Sequence, residues 1–318
     1  MRFSAQLNFS IEEKTREAIR AHAPELTKIS AERIWVELTK LLVSDHPEYI
    51  RLAYDLGVTE VILPEFDLLM KTPQNTPHHG DTVGEHTLNS LRALAEVTPA
   101  EKATKSSKPV PIDAGENADK DAAKEEAKEA AYERRLIRWS LLLHDMGKPA
   151  TRTTDRNFID HFTGHAQESS RIAEEILRRL KADNRIIHDV KLLVENHDWH
   201  AEPSKRAVRR AVNRTGEDLF PIFLQLQWAD TVSHGEWNKE QKLKRISDAA
   251  FAFERILAQG DCVTLSGLAI SGRDLLELGI PAGPRVGELL NLALEEVLED
   301  PLKNERSYLL DFVSKQDL

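Results

Sequence analysis

The chain has one cysteine, Cys262, in 318 residues. A lone thiol cannot close an internal disulfide or build a thiolate metal site, so a reducing cytoplasm is the expected setting. Long apolar runs are missing. Nothing approaches the ~20 residues of a membrane-spanning helix, and MRFSAQLNFS lacks the apolar core of a signal peptide, so no membrane is expected as a partner. A basic excess is missing as well. The net charge of −10 argues against a surface coated for nucleic acid and leaves room only for a local basic stripe. Strict alternation of apolar and polar residues is scarce, which argues against a sheet-rich fold. What is present is helical periodicity and 41% hydrophobic residues, enough for one large domain or two to three small ones.

Ser10-Ile11-Glu12-Glu13 has capping-box spacing and predicts a helix running toward His22. Ser30 opens a second, with Ile34, Leu38, Leu41 and Leu42 on one face, and His46-Pro47 starts a third that Gly57 ends. Pro64, Pro73, Pro77 and Gly80 punctuate 58–83, which reads as loop with short turns. Residues 98–131 break the composition. They read as a surface insertion, disordered in its first half and helical in its Ala/Glu/Lys second half. Helices are expected over about 133–146, 165–182, 185–197, 204–215 and 217–232. The tail continues helical, with the apolar stripe Val286, Leu289, Leu290, Ala293, Val297 and Leu298. The fold class is therefore all-α, with three expected parts: 1–70, 71–235 with its insertion, and 236–318.

Ten of the twelve histidines lie between His78 and His234. Several extend apolar faces: His144 shares one with Ile137 and Leu141, His165 with Ile172, Ile176 and Leu180, and His197 with Ile186, Val190, Leu193 and Val194. Asp230 extends Leu219, Phe223 and Leu226, while His86 sits on a face of small residues. Alone, each histidine is more often a satisfied core or surface residue. Together with the adjacent Asp145 they suit one shared centre, because a buried carboxylate must be paired or bind a metal. Mixed nitrogen and oxygen ligands favour Mg, Mn, Fe, Ni or Co over a closed structural zinc, and such an ion activates water against a phosphate ester. Lys148, one turn after His144, either meets a phosphate oxygen or is a solvated helix-end lysine. His78, His79, His161, His200 and His234 remain unplaced.

His86, His144-Asp145 and Asp230 in this order resemble the signature of the HD superfamily of metal-dependent phosphohydrolases. The resemblance implies a multi-helical HD-domain bundle and phosphatase, nucleotidase or 2′,3′-cyclic phosphodiesterase chemistry. With His165 and His197 it is similar to variants holding two metals, with Asp145 bridging them, so one or two divalent ions per chain are implied. A second resemblance covers nearly the whole chain outside the insertion. RFSAQLNFSIEEKTREAI and KISAERIWVELTKLL resemble the neck of bacterial CCA tRNA nucleotidyltransferases. GHAQESSRIAEEILRRLK and KRAVRRAVNRTGEDLF resemble their HD-bearing body, and LAISGRDLLELGIPAGPRVGELLNLALEEVLEDPLKNERSYLL resembles their tail. That family's catalytic head carries an Asp-x-Asp. Here Asp119-Lys120-Asp121 lies in the insertion and is assigned no function, so this chain alone is not expected to add CCA.

The leading expectation is thus a metal-dependent HD phosphohydrolase acting on a phosphoester or nucleotide, with Asp145 and Lys148 in catalytic roles. The alternative is the tRNA-binding body and tail of a CCA-adding enzyme whose head is missing or separate. Arg206, Arg209, Arg210 and Arg214, with Lys205 adjacent, form a stripe that either tracks RNA phosphates or is a solvated face paired with nearby acids. Only the resemblance raises tRNA to an expected partner.

Overall fold

The computed structural model describes residues 1–75, 81–94, 116–199, 202–235 and 238–316. Among the described residues the secondary structure is all-α apart from one small hairpin and an isolated bridge, as the periodicity predicts. The chain divides into two compact units, one formed by Met1–Trp199 and Pro221–Lys242 and the other by His200–Phe220 and Leu243–Leu318. Segments 1–70 and 71–199 therefore belong to a single unit. No helix among the described residues is long and apolar enough to cross a membrane.

The first unit begins with α1 (Arg2–Leu7), α2 (Glu13–His22), α3 (Ala31–Leu42), α4 (Ile50–Asp55), α5 (Thr59–Ile62) and α6 (Pro64–Lys71). The cap of α2 is Glu12, whose carboxylate accepts from Thr15 N–H, and not the expected Ser10. A carboxylate at that end also meets the positive pole of the helix. The reading of 58–83 as loop is corrected too, because α5 and α6 occupy 59–71. Pro64 starts α6, where its missing N–H leaves no bond unmade and its fixed φ suits the first turn.

The unit continues through α7 (Val83–Ala93), α8 (Glu116–Leu143), α9 (Lys148–Thr151), the hairpin β1 (Thr153–Thr154) and β2 (Asp160–His161), α10 (His165–Arg179) and α11 (Asn184–Asn196). The helical half of the predicted insertion is the start of α8, while 98–115 lies outside the described residues. Leu136, Trp139, Leu142 and Leu143 on α8 are fully buried. Trp139 stacks on Trp35 of α3 at 4.5 Å, and its indole N–H donates to Thr39 Oγ1 at 3.0 Å. Buried Tyr132 donates to Asp189 Oδ2 of α11 at 2.5 Å, which ties α8 to α11 through a satisfied polar contact. Burial and the neighbouring carboxylate push the Tyr132 phenol far above its ordinary range.

α13 (Phe220–Ser233) follows α12 (Lys205–Thr215), and α14 (Lys239–Gln259), α15 (Gly272–Glu277), α16 (Pro284–Glu299) and α17 (Arg306–Gln316) complete the chain. In the second unit Leu289, Ala293, Val297 and Leu298 of α16 are buried, as the stripe predicts. Cys262 is buried with a free thiol.

Candidate metal centre

His86 from α7, His144 and Asp145 from the turn after α8, His165 from the first turn of α10, His197 at the end of α11 and Asp230 of α13 converge within the first unit. The apolar faces explain the convergence. Ile137 and Leu141 below His144, and Ile186, Val190, Leu193 and Val194 below His197, are almost completely buried, so core formation drags the polar residue inward. Gly147 lets the 144–147 turn lie flush on α10. A Cβ there would stand 2.5 Å from the His165 carbonyl oxygen and 2.6 Å from Ser169 N. The Gly147 N–H donates to Ser169 Oγ at 2.8 Å.

The imidazoles are aimed by their far edges. Nδ1 of His144 faces the Leu141 carbonyl at 2.8 Å, that of His165 the Phe162 carbonyl at 2.9 Å, and that of His197 the Val194 carbonyl at 2.6 Å. A carbonyl only accepts, so each Nδ1 carries the proton and each Nε2 turns toward the centre as a potential ligand. His86 reaches Ser233 Oγ through Nδ1 at 3.1 Å and Asp230 Oδ1 through Nε2 at 2.8 Å.

Two ligand groups result, His86, His144 and Asp230 in one and Asp145, His165 and His197 in the other, each with its donor atoms within 4.8 Å of one another. In the first, His144 Nε2 lies 3.3 Å from Asp230 Oδ1. In the second, His165 Nε2 and His197 Nε2 are 3.2 Å apart and lie 3.6 and 3.7 Å from Asp145 Oδ1. The other oxygen of Asp145, Oδ2, faces the first group, 3.3 Å from His144 Nε2 and 3.8 Å from His86 Nε2. Asp145 thus presents one oxygen to each group.

The electrostatics suit a cation. Asp145 is 1% exposed. Burial opposes its charge, but His144 and Lys148 outweigh that and hold its carboxyl well below the usual range. Asp230 is lowered against burial by His234, His144 and His86. Burial disfavours a charged His144, yet Asp145 and Asp230 push it up to about 10. Burial pushes His234, stacked on His86 at 4.8 Å, down to about 4. Among the described residues, His144 Nε2 and both Asp145 oxygens are buried with no aligned hydrogen-bond partner. The Lys148 ammonium, 2.8 Å from Asp145 Oδ2, is an ion pair without hydrogen-bond alignment. Leaving such atoms unsatisfied costs about 1–3 kcal/mol each. The residues therefore fit a divalent cation, with nitrogen and carboxylate ligands of the kind Mn, Fe, Co and Ni accept.

Lys148 is not the solvated lysine of one sequence reading, for it is 8% exposed and bonded to Gln74 Oε1 at 3.0 Å. Gln74 was not foreseen; a proline-punctuated stretch gives no signal for it. His234 stood four residues after Asp230, a spacing that pointed to the same face. His161 lies on the hairpin beside Asp155, outside the cluster. His78, His79 and His200, and the side chains of Asp119 and Asp121, lie outside the described residues.

The arginine stripe on α12 is built into the second unit. Arg209 is 4% exposed and donates to Leu298 O at 2.9 Å, Glu299 O at 3.0 Å and Asp261 Oδ2 at 3.0 Å. Arg206 pairs with Glu299 at 2.6 Å, and Arg210 pairs with Glu295 and Glu299 at 3.1 and 2.6 Å. Each guanidinium nitrogen of Arg209 thus already bonds the end of α16 or Asp261, which weighs against its serving as a phosphate contact. Sequence spacing could not reveal partners some fifty to ninety residues away. Arg214 is exposed near the end of α12.

Known sequence families match two stretches of the chain. Residues 8–70 match "Probable RNA and SrmB- binding site of polymerase A". Residues 152–313, half of the chain, match "tRNA nucleotidyltransferase domain 2". The chain belongs to the tRNA nucleotidyltransferase domain 2 family. Similar proteins include the CC-adding tRNA nucleotidyltransferase of Thermus thermophilus, 29% identical over 94% of this chain and 61% of the relative. The A-adding tRNA nucleotidyltransferase of Deinococcus radiodurans is 30% identical over 92% of this chain and 62% of its own length. A "Multifunctional CCA protein" of Actinobacillus pleuropneumoniae is 28% identical over 55% of this chain. The chain spans about three-fifths of the length of the first two relatives. The tRNA nucleotidyltransferase domain 2 match takes in His165, His197 and Asp230, while His86, His144, Asp145 and Lys148 lie outside both matched stretches.

Proposed function

We propose that this chain is the tRNA-binding body and tail of a tRNA 3′-end-processing enzyme. The observation that carries this reading is the breadth of the kinship: similarity to CC-adding and A-adding tRNA nucleotidyltransferases extends over more than nine-tenths of the chain. The match of residues 8–70 to an RNA-binding site supports it independently. Because Arg209 is internally paired, the α12 arginines do not act as one stripe, and tRNA is held by shape and by backbone contacts to local basic groups. Filter binding of the full chain to tRNA across a salt series tests this. Binding that weakens as salt rises is expected, and no salt-dependent affinity for tRNA contradicts it.

The buried cluster favours a second activity in the same chain, metal-dependent phosphoester hydrolysis of the HD type. His86, His144 and Asp230 would hold one divalent ion, and His165 and His197 a second, with Asp145 shared. When bound, such an ion offsets phosphoryl charge and acidifies water. The chain's own contribution is positional. Three backbone carbonyls and Ser233 fix the four imidazoles, and Lys148 brings a buried ammonium to the edge of the cluster as a point charge for a phosphate oxygen. Nucleotidyl transfer is not assigned to this chain. Hydrolysis of bis(p-nitrophenyl) phosphate by the Mn²⁺-loaded chain tests the reading. Metal-dependent turnover is expected, and turnover that Asp145→Ala leaves unchanged contradicts it.

A further inference from the structure

Residues 72–75 after α6 and Thr82 before α7 are tied down by several contacts. Val83 N–H donates to Thr72 O at 2.9 Å, and Pro73 bridges antiparallel to Thr82. Asn75 exchanges two bonds with β2: Asp160 N–H donates to Asn75 O at 2.9 Å, and Asn75 N–H donates to Asp160 Oδ2 at 2.9 Å. Asp160 is itself 3% exposed, accepts from Thr154 Oγ1 at 2.6 Å and pairs with Arg152 at 3.0 Å. These anchors flank Gln74, which is 2% exposed.

The Gln74 side chain touches Lys148 at 3.0 Å. An ammonium only donates, so the amide oxygen must be the atom that faces it, and the NH₂ is left at the other corner of the same group. That nitrogen, Nε2, is buried with no hydrogen-bond partner among the described residues. Lys148 meanwhile stands 2.8 Å from Asp145 Oδ2 and 5.4 Å over the Phe162 ring. An unpartnered amide donor therefore sits beside a buried ammonium, at the edge of a cluster whose other polar atoms are suited to a cation. The missing partner is an acceptor, and an anionic one satisfies both groups at once.

We propose that Gln74 and Lys148 form the subsite for a non-bridging phosphoryl oxygen, Gln74 steadying the lysine through Oε1 and donating to the phosphate through Nε2. This rests on the hydrolase reading of the cluster. The test uses the full chain loaded with Mn²⁺. It compares wild type, Gln74→Glu and Gln74→Ala by metal content, by calorimetric affinity for inorganic phosphate, and by kcat and KM for bis(p-nitrophenyl) phosphate. Gln74→Glu keeps an acceptor for Lys148 and removes the donor. Both variants are expected to retain their metal, to bind phosphate about tenfold or more weakly, and to raise KM. Wild-type phosphate affinity in a metal-replete Gln74→Glu protein overturns the subsite, as does loss of metal from both variants, which would make Gln74 a purely structural residue. If wild type turns over and the variants match it, the subsite alone falls. If metal-loaded wild type neither binds phosphate nor turns over, the hydrolase reading falls and takes the subsite with it.

Discussion

Arg209 and Asp145 are both charged and both buried, at 4% and 1% exposure. Every nitrogen of the Arg209 guanidinium has an acceptor within the chain: two carbonyls at the end of α16 and the carboxylate of Asp261. Asp145 is surrounded by imidazole Nε2 atoms and an ammonium, yet among the described residues neither of its oxygens has an aligned hydrogen bond. A buried charge finished from inside holds the fold together. A buried charge left open among nitrogen ligands is shaped for something from outside. The difference separates a structural network from a candidate site without appeal to residue type, since both regions looked functional by composition.

The largest effect is expected at Arg209. Arg209→Ala strands the Asp261 carboxylate, whose side chain is 7% exposed, and removes the donors from two α16 carbonyls. Urea unfolding of the full chain should show a loss of about 3 kcal/mol. A loss under about 1 kcal/mol would mean that Arg209 is available for other partners. A smaller effect is expected next door. Arg210 pairs with Glu295 and Glu299 while its side chain is 34% exposed, so Arg210→Ala should cost less than about 1 kcal/mol in the same measurement.

The smallest effect concerns acid. Ser271 and Arg306 hold Asp274 down to about 2 from an ordinary 3.8. Its folded pKa is depressed, so its contribution is full above the unfolded value and disappears as pH falls through the folded one. Asp274→Asn should therefore melt slightly below wild type near neutrality, and the gap should close between pH 3.8 and about 2. A gap that widens on acidification would assign the shift to another group.

Much of the candidate centre was legible because its ligands extend apolar stripes. A histidine continuing Val190, Leu193 and Val194 has nowhere to go but inward. His86 was less legible, since small neighbours such as Ser90 gave its face little hydrophobic contrast, yet it is 2% exposed. Gln74 was not legible at all. Its position depends on a hairpin about eighty-five residues away, through the paired bonds of Asn75 and Asp160. Pro64 misled for a local reason: proline ends helices and also begins them, and only the backbone on either side tells which. The α12 stripe misled because helical spacing places arginines on a face but does not say what lies opposite.

Metal content decides whether Asp145 anchors a cation site. The full chain is incubated with Mn²⁺, desalted and analysed for bound metal beside Asp145→Ala and Arg210→Ala. The six converging side chains predict one to two ions retained per chain in wild type and in Arg210→Ala, with loss in Asp145→Ala. Equal retention in all three, or no retention by wild type, would contradict a metal centre built around Asp145.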